Sequence, residues 1–301
     1  MLEIIKKIQL YFARMYDNSF DDLKDVDVLD ANKAFSQILK KRREKIMLAI
    51  LVVAICIFIL FKFFPNTIMN PSLVLFITSI PLFIMIMWLA ILYSKIRQAF
   101  WKQIALKYNW TYTPTKDISR EKALLFSMGH SKITENGITG NYINNPFYIF
   151  EYQYTIGSGK HSRTYNFTVF EVKFTGTFPH LYLNYKNDWY SNSPSMFSSF
   201  VKISLPQEFA DKFKLYVPKE YEIEALQIFT PDVFSLLLDS EWDYDMEFVD
   251  GELIIYSNTR FGNFVELDNE LNKIKKFVDI LSPLLNRFQL HKIGDYSSSL
   301  R

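Results

Sequence analysis

The chain has 301 residues, a formal net charge of +2, one cysteine and an aromatic content of 17%. From residue 94 onward, 23 Lys and Arg stand against 24 Asp and Glu, so this portion lacks the basic excess with which nucleic-acid-binding proteins neutralise phosphates. We therefore predict no nucleic-acid partner. The single cysteine, Cys56, excludes an intramolecular disulfide.

Residues 1–45 are predicted to form a cytoplasmic arm that precedes the membrane. The first fifteen residues place their apolar side chains on one helical face, and Lys6, Lys7 and Arg14 add positive charge. A basic amphipathic helix of this kind either lies among lipid headgroups or packs on the soluble domain, and the sequence leaves both alternatives open. An acidic linker follows, and Asp30 is predicted to cap a second helix that leads through a basic juxtamembrane segment.

Two apolar segments, residues 46–64 and 72–93, are predicted to cross a membrane as a helical hairpin. The first contains one charged residue, Lys62, and the second contains none. Each has about the 20 residues that a helix needs to cross a bilayer core. The first segment begins too far along the chain to be a cleaved signal peptide.

Basic residues flank the predicted hairpin on one side of the membrane. They are Lys40, Lys41, Arg42, Arg43 and Lys45 before the first span, and Lys95, Arg97 and Lys102 after the second. Because basic flanks stay on the cytoplasmic side, both termini and the C-terminal domain are predicted to be cytoplasmic. The run from Lys40 to Arg43 is also a candidate contact for anionic lipid headgroups.

Residues 94–301 are predicted to form an α+β domain with an antiparallel sheet and a flexible C-terminal tail. Strand-forming residues dominate between 137 and 186, in GITGNYINN, PFYIFEYQYTIG, TYNFTVFEVKF and HLYLNYK. Further along, the patterns predict helices broken at Thr230–Pro231, a hairpin around Asp250–Gly251 and a last helix from about Asp268. Strands that alternate with helices and short hairpins indicate the α+β class.

Several of these segments together resemble a known family. After the two apolar segments come ALKYNWTYTPTKDIS, GITGNYINNPFYIFEYQY, LPQEFADKFKLYVP, LQIFTPDVFSLLLD and FVDGELIIYSN. In this order they resemble a bacterial family of two-pass membrane proteins with a cytoplasmic domain of unknown function, over roughly residues 85–285. The resemblance implies a location in the bacterial cytoplasmic membrane. It implies no activity, because the matching residues belong to turns and core.

The sequence contains no recognisable catalytic motif. The segment GSGKHS departs from a phosphate-binding loop, which requires a Gly where Tyr154 stands and a Ser or Thr where His161 stands. The four histidines are widely spaced and have no cysteine companion, so no zinc pattern is present. We predict no catalytic residue, no cofactor and no metal site.

An acidic strand is one candidate surface for partner contact. Asp243, Asp245 and Glu247 alternate with apolar residues, so one strand face should present three carboxylates. This face either binds a basic partner or a divalent cation, or is simply a solvated face that discourages edge pairing.

A predicted mobile loop, residues 187–200, is the second candidate surface. Trp189, Tyr190 and Phe197 lie there among Ser and Asn residues. Exposed aromatic residues of this kind anchor partners or enter a membrane interface; the alternative is that they fold back onto the domain.

Taken together, these features predict a membrane-anchored cytoplasmic binding or scaffold module that is not a catalyst. Its partners are predicted to be the lipid bilayer and other membrane or cytoplasmic proteins. The alternative is an enzyme that acts on a lipid or a membrane-associated substrate through residues distant in sequence. A pocket with converging polar groups of shifted pKa would favour the enzyme.

Overall fold

The computed structural model describes residues 26–44, 46, 47, 50, 51, 54, 55, 58, 62, 71–119, 121–175, 178–186 and 200–298. These residues belong to two compact units, one up to Ile104 and one from Ala105. The predicted amphipathic helix of the arm, most of the first predicted span and most of the loop 187–200 lie outside the described residues.

The first unit begins with helix α1 (Ala31–Lys41). The prediction that Asp30 caps it is confirmed, because the Asp30 carboxylate accepts a hydrogen bond of 2.9 Å from the backbone N–H of Lys33. Ala31, Ala34 and Ile38 are buried along one face. Helical hydrogen bonding continues beyond the end of α1, since the Ile46 N–H donates to the Arg42 carbonyl at 3.0 Å.

Helix α2 (Pro71–Lys107) contains the second predicted span, 72–93, and continues beyond it to Lys107. Its part from Leu82 to Lys107 is long and apolar enough to cross a membrane, and it is the one such candidate among the described residues. Phe35 meets Tyr93 edge to face with ring centroids 5.7 Å apart, and the Arg42 guanidinium lies 5.8 Å from the centroid of the Trp88 ring. The two pairs show that α1 and its continuation run antiparallel to α2.

The second unit is built on a nine-stranded antiparallel sheet, which confirms the α+β class. Its strands are β1 (Thr111–Thr113), β2 (His130–Tyr142), β3 (Asn145–Ile156), β4 (Arg163–Lys173), β5 (Leu181–Tyr185), β6 (Phe200–Lys202), β7 (Phe213–Pro218), β8 (Asp245–Val249) and β9 (Glu252–Ser257). The spatial order is β1-β2-β3-β4-β9-β8-β5-β7-β6. The predicted meander is therefore correct from β2 to β4, but the hairpin β8–β9 lies between β4 and β5.

The predicted hairpin around Asp250–Gly251 is confirmed. Both residues have positive φ angles, 51° and 82°, as a tight two-residue hairpin turn of this kind requires. The turn sets the register in which Val249 lies opposite Glu252.

Five helices accompany the sheet. They are α3 (Leu124–Ser127), α4 (Gln207–Lys212), α5 (Glu222–Ile228), α6 (Pro231–Asp239) and α7 (Phe264–Ser298). The predicted break at Thr230–Pro231 is confirmed, and the Thr230 hydroxyl caps α6. Helix α7 continues through Pro283 to Ser298, into the segment predicted as a flexible tail.

The sheet is buried on both faces. On one, which we call the helical face, Phe248 contacts Phe229 with ring centroids 5.9 Å apart, and Trp242 contacts Phe277 of α7 at 4.9 Å. The opposite face, which we call the polar face, is covered by α3, whose Phe126 lies 5.2 Å from the ring of Tyr152. Burial on both faces is the reason that polar side chains of the central strands leave water.

Candidate functional site

A row of five side chains crosses the polar face from β3 to β5. Directly opposed residues place Tyr148, Glu171, Ile254, Glu247 and Tyr182 side by side on successive strands. Both glutamates in this row are fully buried. A buried carboxylate is costly unless it accepts several hydrogen bonds or ion pairs, so the partners of these two glutamates define their role.

Glu247 is held by donors from three parts of the chain. The backbone N–H of Leu124 donates to its Oε2 at 2.7 Å, and that of Leu125 donates to its Oε1 at 3.2 Å. The Tyr256 hydroxyl donates to Oε1 at 2.9 Å, and Nε2 of His180 lies 3.1 Å from Oε2. Glu247 thereby fastens the start of α3 to the sheet.

Asp245 is buried in the same way, with 2% of its surface exposed. Its Oδ1 accepts the backbone N–H of Tyr185 at 2.7 Å and the Asn184 side-chain amide at 3.3 Å. Its Oδ2 accepts the Tyr182 hydroxyl at 3.1 Å. These bonds tie β8 to β5 across the polar face.

The prediction of a solvated acidic strand face is therefore wrong for Asp245 and Glu247. Both carboxylates point into a covered face and are saturated by internal donors. Asp243, just before β8, is exposed at the surface. Partial burial raises the pKa of its carboxyl above the usual value, although the charge of Lys273 opposes this rise.

Five charged side chains converge at the other end of the row, and we call them the Lys116 cluster: Lys116, Glu121, Glu171, Lys173 and Glu252. The Lys116 ammonium bonds Oε2 of Glu171 and lies 3.0 Å from Oε1 of Glu121. The Lys173 ammonium lies 2.5 Å from Oε1 of Glu252 and 3.5 Å from Oε1 of Glu171. With three carboxylates against two ammonium groups, the cluster carries a formal charge of −1.

Burial and neighbouring charges shift the pKa values of two members of the Lys116 cluster, Glu121 and Lys173. Burial raises the pKa of Glu121 above its usual value; the charge of Lys116 opposes the rise and that of Glu171 adds to it. Burial alone would lower the pKa of Lys173, but its hydrogen bond to Glu252 and the charge of Glu171 raise it overall. Lys116 also lies 5.0 Å from the ring centroid of Phe150, a favourable cation–π distance.

Carboxylate oxygens of Glu121, Glu171 and Glu252 lie within 4.8 Å of one another, close enough for one cation to contact all three. Each of these carboxylates already pairs with the ammonium group of Lys116 or Lys173 within the described structure. A divalent cation would have to displace at least one lysine. We therefore assign the cluster an internal ion-pairing role.

A different surface character distinguishes the first unit. Exposed large apolar side chains are concentrated there among the described residues: Met47, Ile50, Leu51, Ile55, Phe58, Ile80, Leu82, Phe83, Ile84, Ile86 and Met87. Phe58 is 68% exposed and Phe83 is 63% exposed. A continuous set of this size is typical of a surface that meets lipid or a partner and not water.

An open pocket of about 470 Å³ lies in the first unit, between the continuation of α1 and helix α2. Apolar side chains supply most of its lining, among them Ile46 and Met47 from one wall and Met85 and Leu89 from the other. Two cations, Lys40 and Arg43, belong to the first wall. Almost all of the surface that faces the pocket is apolar, so the two cations line it with their aliphatic stems.

Among the residues predicted to contact lipid or partners, the structure brings only some together. Lys40 and Arg43 share the pocket, and Arg42 lies over Trp88 beside it. Lys41 is exposed on the same helix end. Lys6, Lys7, Arg14, Trp189, Tyr190 and Phe197 lie outside the described residues.

The structure thus defines a protein class by fold: an α+β domain on a nine-stranded antiparallel sheet, preceded by a long apolar helix. No protein-family model matches the chain, and no curated protein is similar to it. One solved structure is similar, the mycobacterial trehalose monomycolate transport factor A, TtfA, with a TM-score of 0.44 and 12% sequence identity. The match covers 62% of this chain and 96% of that one. At this level the likeness carries no conclusion about function.

Proposed function

We propose that the protein is a membrane-anchored binding or scaffold module. Residues 46–64 and 72–93 cross the bacterial cytoplasmic membrane as a hairpin, and both termini and the α+β domain lie in the cytoplasm. The domain binds other membrane or cytoplasmic proteins and performs no chemistry itself. The observation that carries this proposal is the set of exposed apolar side chains between Met47 and Met87, next to the basic run from Lys40 to Arg43.

Two features support the hairpin and its orientation. The antiparallel contacts of Phe35 with Tyr93 and of Arg42 with Trp88 bring the chain before the first span beside the C-terminal end of the second span. In the proposed orientation Arg42 and Trp88 share one level, near the cytoplasmic end of that span. Basic and aromatic residues together at one level are typical of the cytoplasmic interface.

The contacts of the buried charges support binding over catalysis. Glu171 and Glu247 each fasten a covering segment to the polar face. A catalytic carboxylate needs access to a substrate, whereas these two are engaged by the chain's own donors.

The Lys116 cluster favours the second candidate, an enzyme that acts on a lipid or membrane-associated substrate. Its charged groups converge and the pKa of Glu121 is raised, as at many active sites. If the cluster is catalytic, Glu121→Gln will abolish a lipid change that the wild-type chain produces in vesicles of extracted membrane lipid, followed by mass spectrometry. Equal lipid profiles with and without the wild-type chain contradict catalysis on those lipids.

The binding proposal is tested by cross-linking the intact tagged chain in native membranes and identifying captured proteins quantitatively. We expect the chain to resist extraction by alkaline carbonate and to enrich a defined partner. Replacing Trp189, Tyr190 and Phe197 by Ser should reduce that enrichment. Replacing Ile223 and Leu226, two exposed apolar residues of α5, should leave it unchanged.

Two results contradict this proposal. Release of the wild-type chain by carbonate overturns the membrane anchor. Recovery of the same proteins, in the same amounts, with an unrelated two-span control overturns the binding role.

A further inference from the structure

We propose that the pocket between the continuation of α1 and helix α2 binds one anionic phospholipid. Its phosphate lies against Lys40 and Arg43, and one acyl chain enters the apolar interior. This inference rests on the proposed function, because it requires that the first unit lie in a bilayer.

The helix periodicity creates the two-part character of the pocket. Lys40, Arg43 and Met47 follow one another at spacings of three and four residues, so they share one helical face. That face lines the pocket mainly with apolar surface, with the aliphatic stems of Lys40 and Arg43 at one end and Met47 at the other. The charged ends of long basic side chains reach beyond the apolar surface that their stems cover, so the two cations meet a ligand at the rim of the pocket.

The opposite wall, from helix α2, changes in the same direction from a headgroup-type residue to apolar residues. Trp88 lines the pocket close to the Arg42 guanidinium, and Met85, one turn further from the C-terminal end of α2, lines its apolar part. Tryptophan is enriched at the headgroup level of membranes. Both walls thus indicate the same orientation of the ligand, with its headgroup at the level of Lys40, Arg43 and Trp88.

Size and charge identify the occupant. A volume of about 470 Å³ falls within the range of ligand pockets, roughly 300–1,000 Å³. The lining contains no acidic residue, since Glu44 of the basic run is not part of it. An elongated apolar group with a negative end fits, and the bilayer supplies such molecules next to the exposed side chains of Met47 and Met87.

The test uses the full chain, purified in a neutral detergent and titrated with phosphatidylglycerol or with phosphatidylcholine of identical acyl chains. Native mass spectrometry counts the lipids retained. We expect one phosphatidylglycerol to bind on the order of tenfold more tightly than phosphatidylcholine, as expected for two cations near an anionic headgroup. The double variant Lys40→Gln/Arg43→Gln should lose that preference.

Two further variants distinguish binding in the pocket from nonspecific attraction of an anionic lipid to positive charge. Lys33→Gln/Lys102→Gln removes two cations of the first unit that do not line the pocket, and it should keep the preference. Leu89→Trp should fill the apolar part and weaken binding of both lipids. An equal loss in the Lys33/Lys102 variant, or unchanged binding in the Lys40/Arg43 variant, overturns the proposal.

A final experiment distinguishes binding of a lipid from binding of a soluble anion. Glycerol 3-phosphate at the concentration of the lipid should not displace it, because it lacks the acyl chain; displacement overturns the proposal. Every protein is also tested for carbonate resistance. Wild-type chain that stays in the membrane without a preferred lipid contradicts this inference alone, whereas release of the wild-type chain contradicts the proposed function.

Discussion

The two compact units of the chain differ in which side chains they expose and which they bury. In the first, apolar side chains such as Phe83 and Ile84 are more than 60% exposed. In the second, charged side chains such as Glu171 and Glu247 are fully buried. The contrast is therefore between a first unit that exposes apolar side chains and a second unit that buries charged ones.

The second unit tolerates its buried charges because each is matched locally. Glu151, on the helical face of β3, bonds the guanidinium of Arg260 at 3.2 Å and the side-chain amide of Asn136 at 2.7 Å. Glu171 has Lys116, and Glu247 has two backbone N–H groups. Removing one partner from such an arrangement costs several kcal/mol, because the other partner stays buried without compensation.

The largest expected effect is an all-or-none difference in cysteine labelling, which tests on which side of the membrane the chain's segments lie. In a Cys56→Ser background, a cysteine at Asn66 should react with a membrane-impermeant reagent added to intact cells, because that loop is predicted to be outside. A cysteine at Ser298 should react only after the membrane is permeabilised. Labelling of Ser298→Cys from outside would contradict the two-span orientation and place the α+β domain on the other side.

The next largest effect is expected from Glu247. Glu247→Leu leaves two backbone N–H groups and the Tyr256 hydroxyl without an acceptor, at about 1–3 kcal/mol for each buried donor. We expect the free energy of unfolding to fall by at least about 3 kcal/mol, measured by urea unfolding in neutral detergent and Trp fluorescence. Asp243→Asn is the exposed control and should change it by less than about 0.5 kcal/mol. A loss below about 1 kcal/mol for Glu247→Leu would contradict its fastening role.

A matched pair of isoleucines tests the exposed apolar surface directly. Ile84 is 62% exposed in the first unit, and Ile223 is 72% exposed in the second. Ile84→Lys should weaken membrane insertion by about 2.5–3.5 kcal/mol, the cost of Lys at the centre of a span. Ile223→Lys should change stability by less than about 0.5 kcal/mol. The measurement is the fraction of each variant that resists extraction by alkaline carbonate, which should fall for Ile84→Lys and stay at the wild-type value for Ile223→Lys. Equal fractions for the two variants would contradict a membrane role for the surface around Ile84.

The smallest expected effect is a pH dependence from Glu121. Its folded-state pKa is raised above the usual 4.5, so its favourable contribution is complete below about pH 4.5 and is lost as the pH rises through the raised value. Glu121→Gln should therefore gain stability relative to wild type between pH 4.5 and 7, by less than about 1 kcal/mol because solvent screens this half-buried carboxyl. Urea unfolding at both pH values gives the difference. A relative loss of stability at pH 7 would contradict the direction of the shift.

Local patterns in the sequence predicted much of the second unit. The turn at Asp250–Gly251 and the break at Thr230–Pro231 depend on neighbouring residues and were correct. The antiparallel order of β2 to β4 was also correct, but β2 begins at His130, seven residues before the predicted strand-rich region. The position of β8–β9 was missed, because it depends on pairing between Glu171 and Ile254, 83 positions apart in the chain. Nothing in the alternation of strand residues indicates which edge a hairpin will join.

The candidate sites were harder to predict than the fold. The acidic alternation at Asp245 and Glu247 indicated a solvated face, because the pattern does not reveal that backbone N–H groups at Leu124 and Leu125 will cover it. One signal was available. The strand that carries Asp245 and Glu247 has large apolar residues on its other face, as strands at the centre of a sheet do, and helices can cover such a sheet on both sides. The basic run at Lys40 stays a predicted lipid contact. The pocket beside it was not predicted, because its other wall comes from Met85 and Leu89, more than 40 residues later in the chain.

The strand order also has a consequence for synthesis on the ribosome. Strand β4 obtains its second neighbour only when β9 emerges, and Ser257 follows Lys173 by 84 residues. At the usual 5–20 residues per second, the nascent chain spends roughly 4–17 s with the open edge of β4 unpaired. Open edges of this kind promote aggregation. Under the membrane anchoring proposed above, the chain would pass through this interval separated from its neighbours.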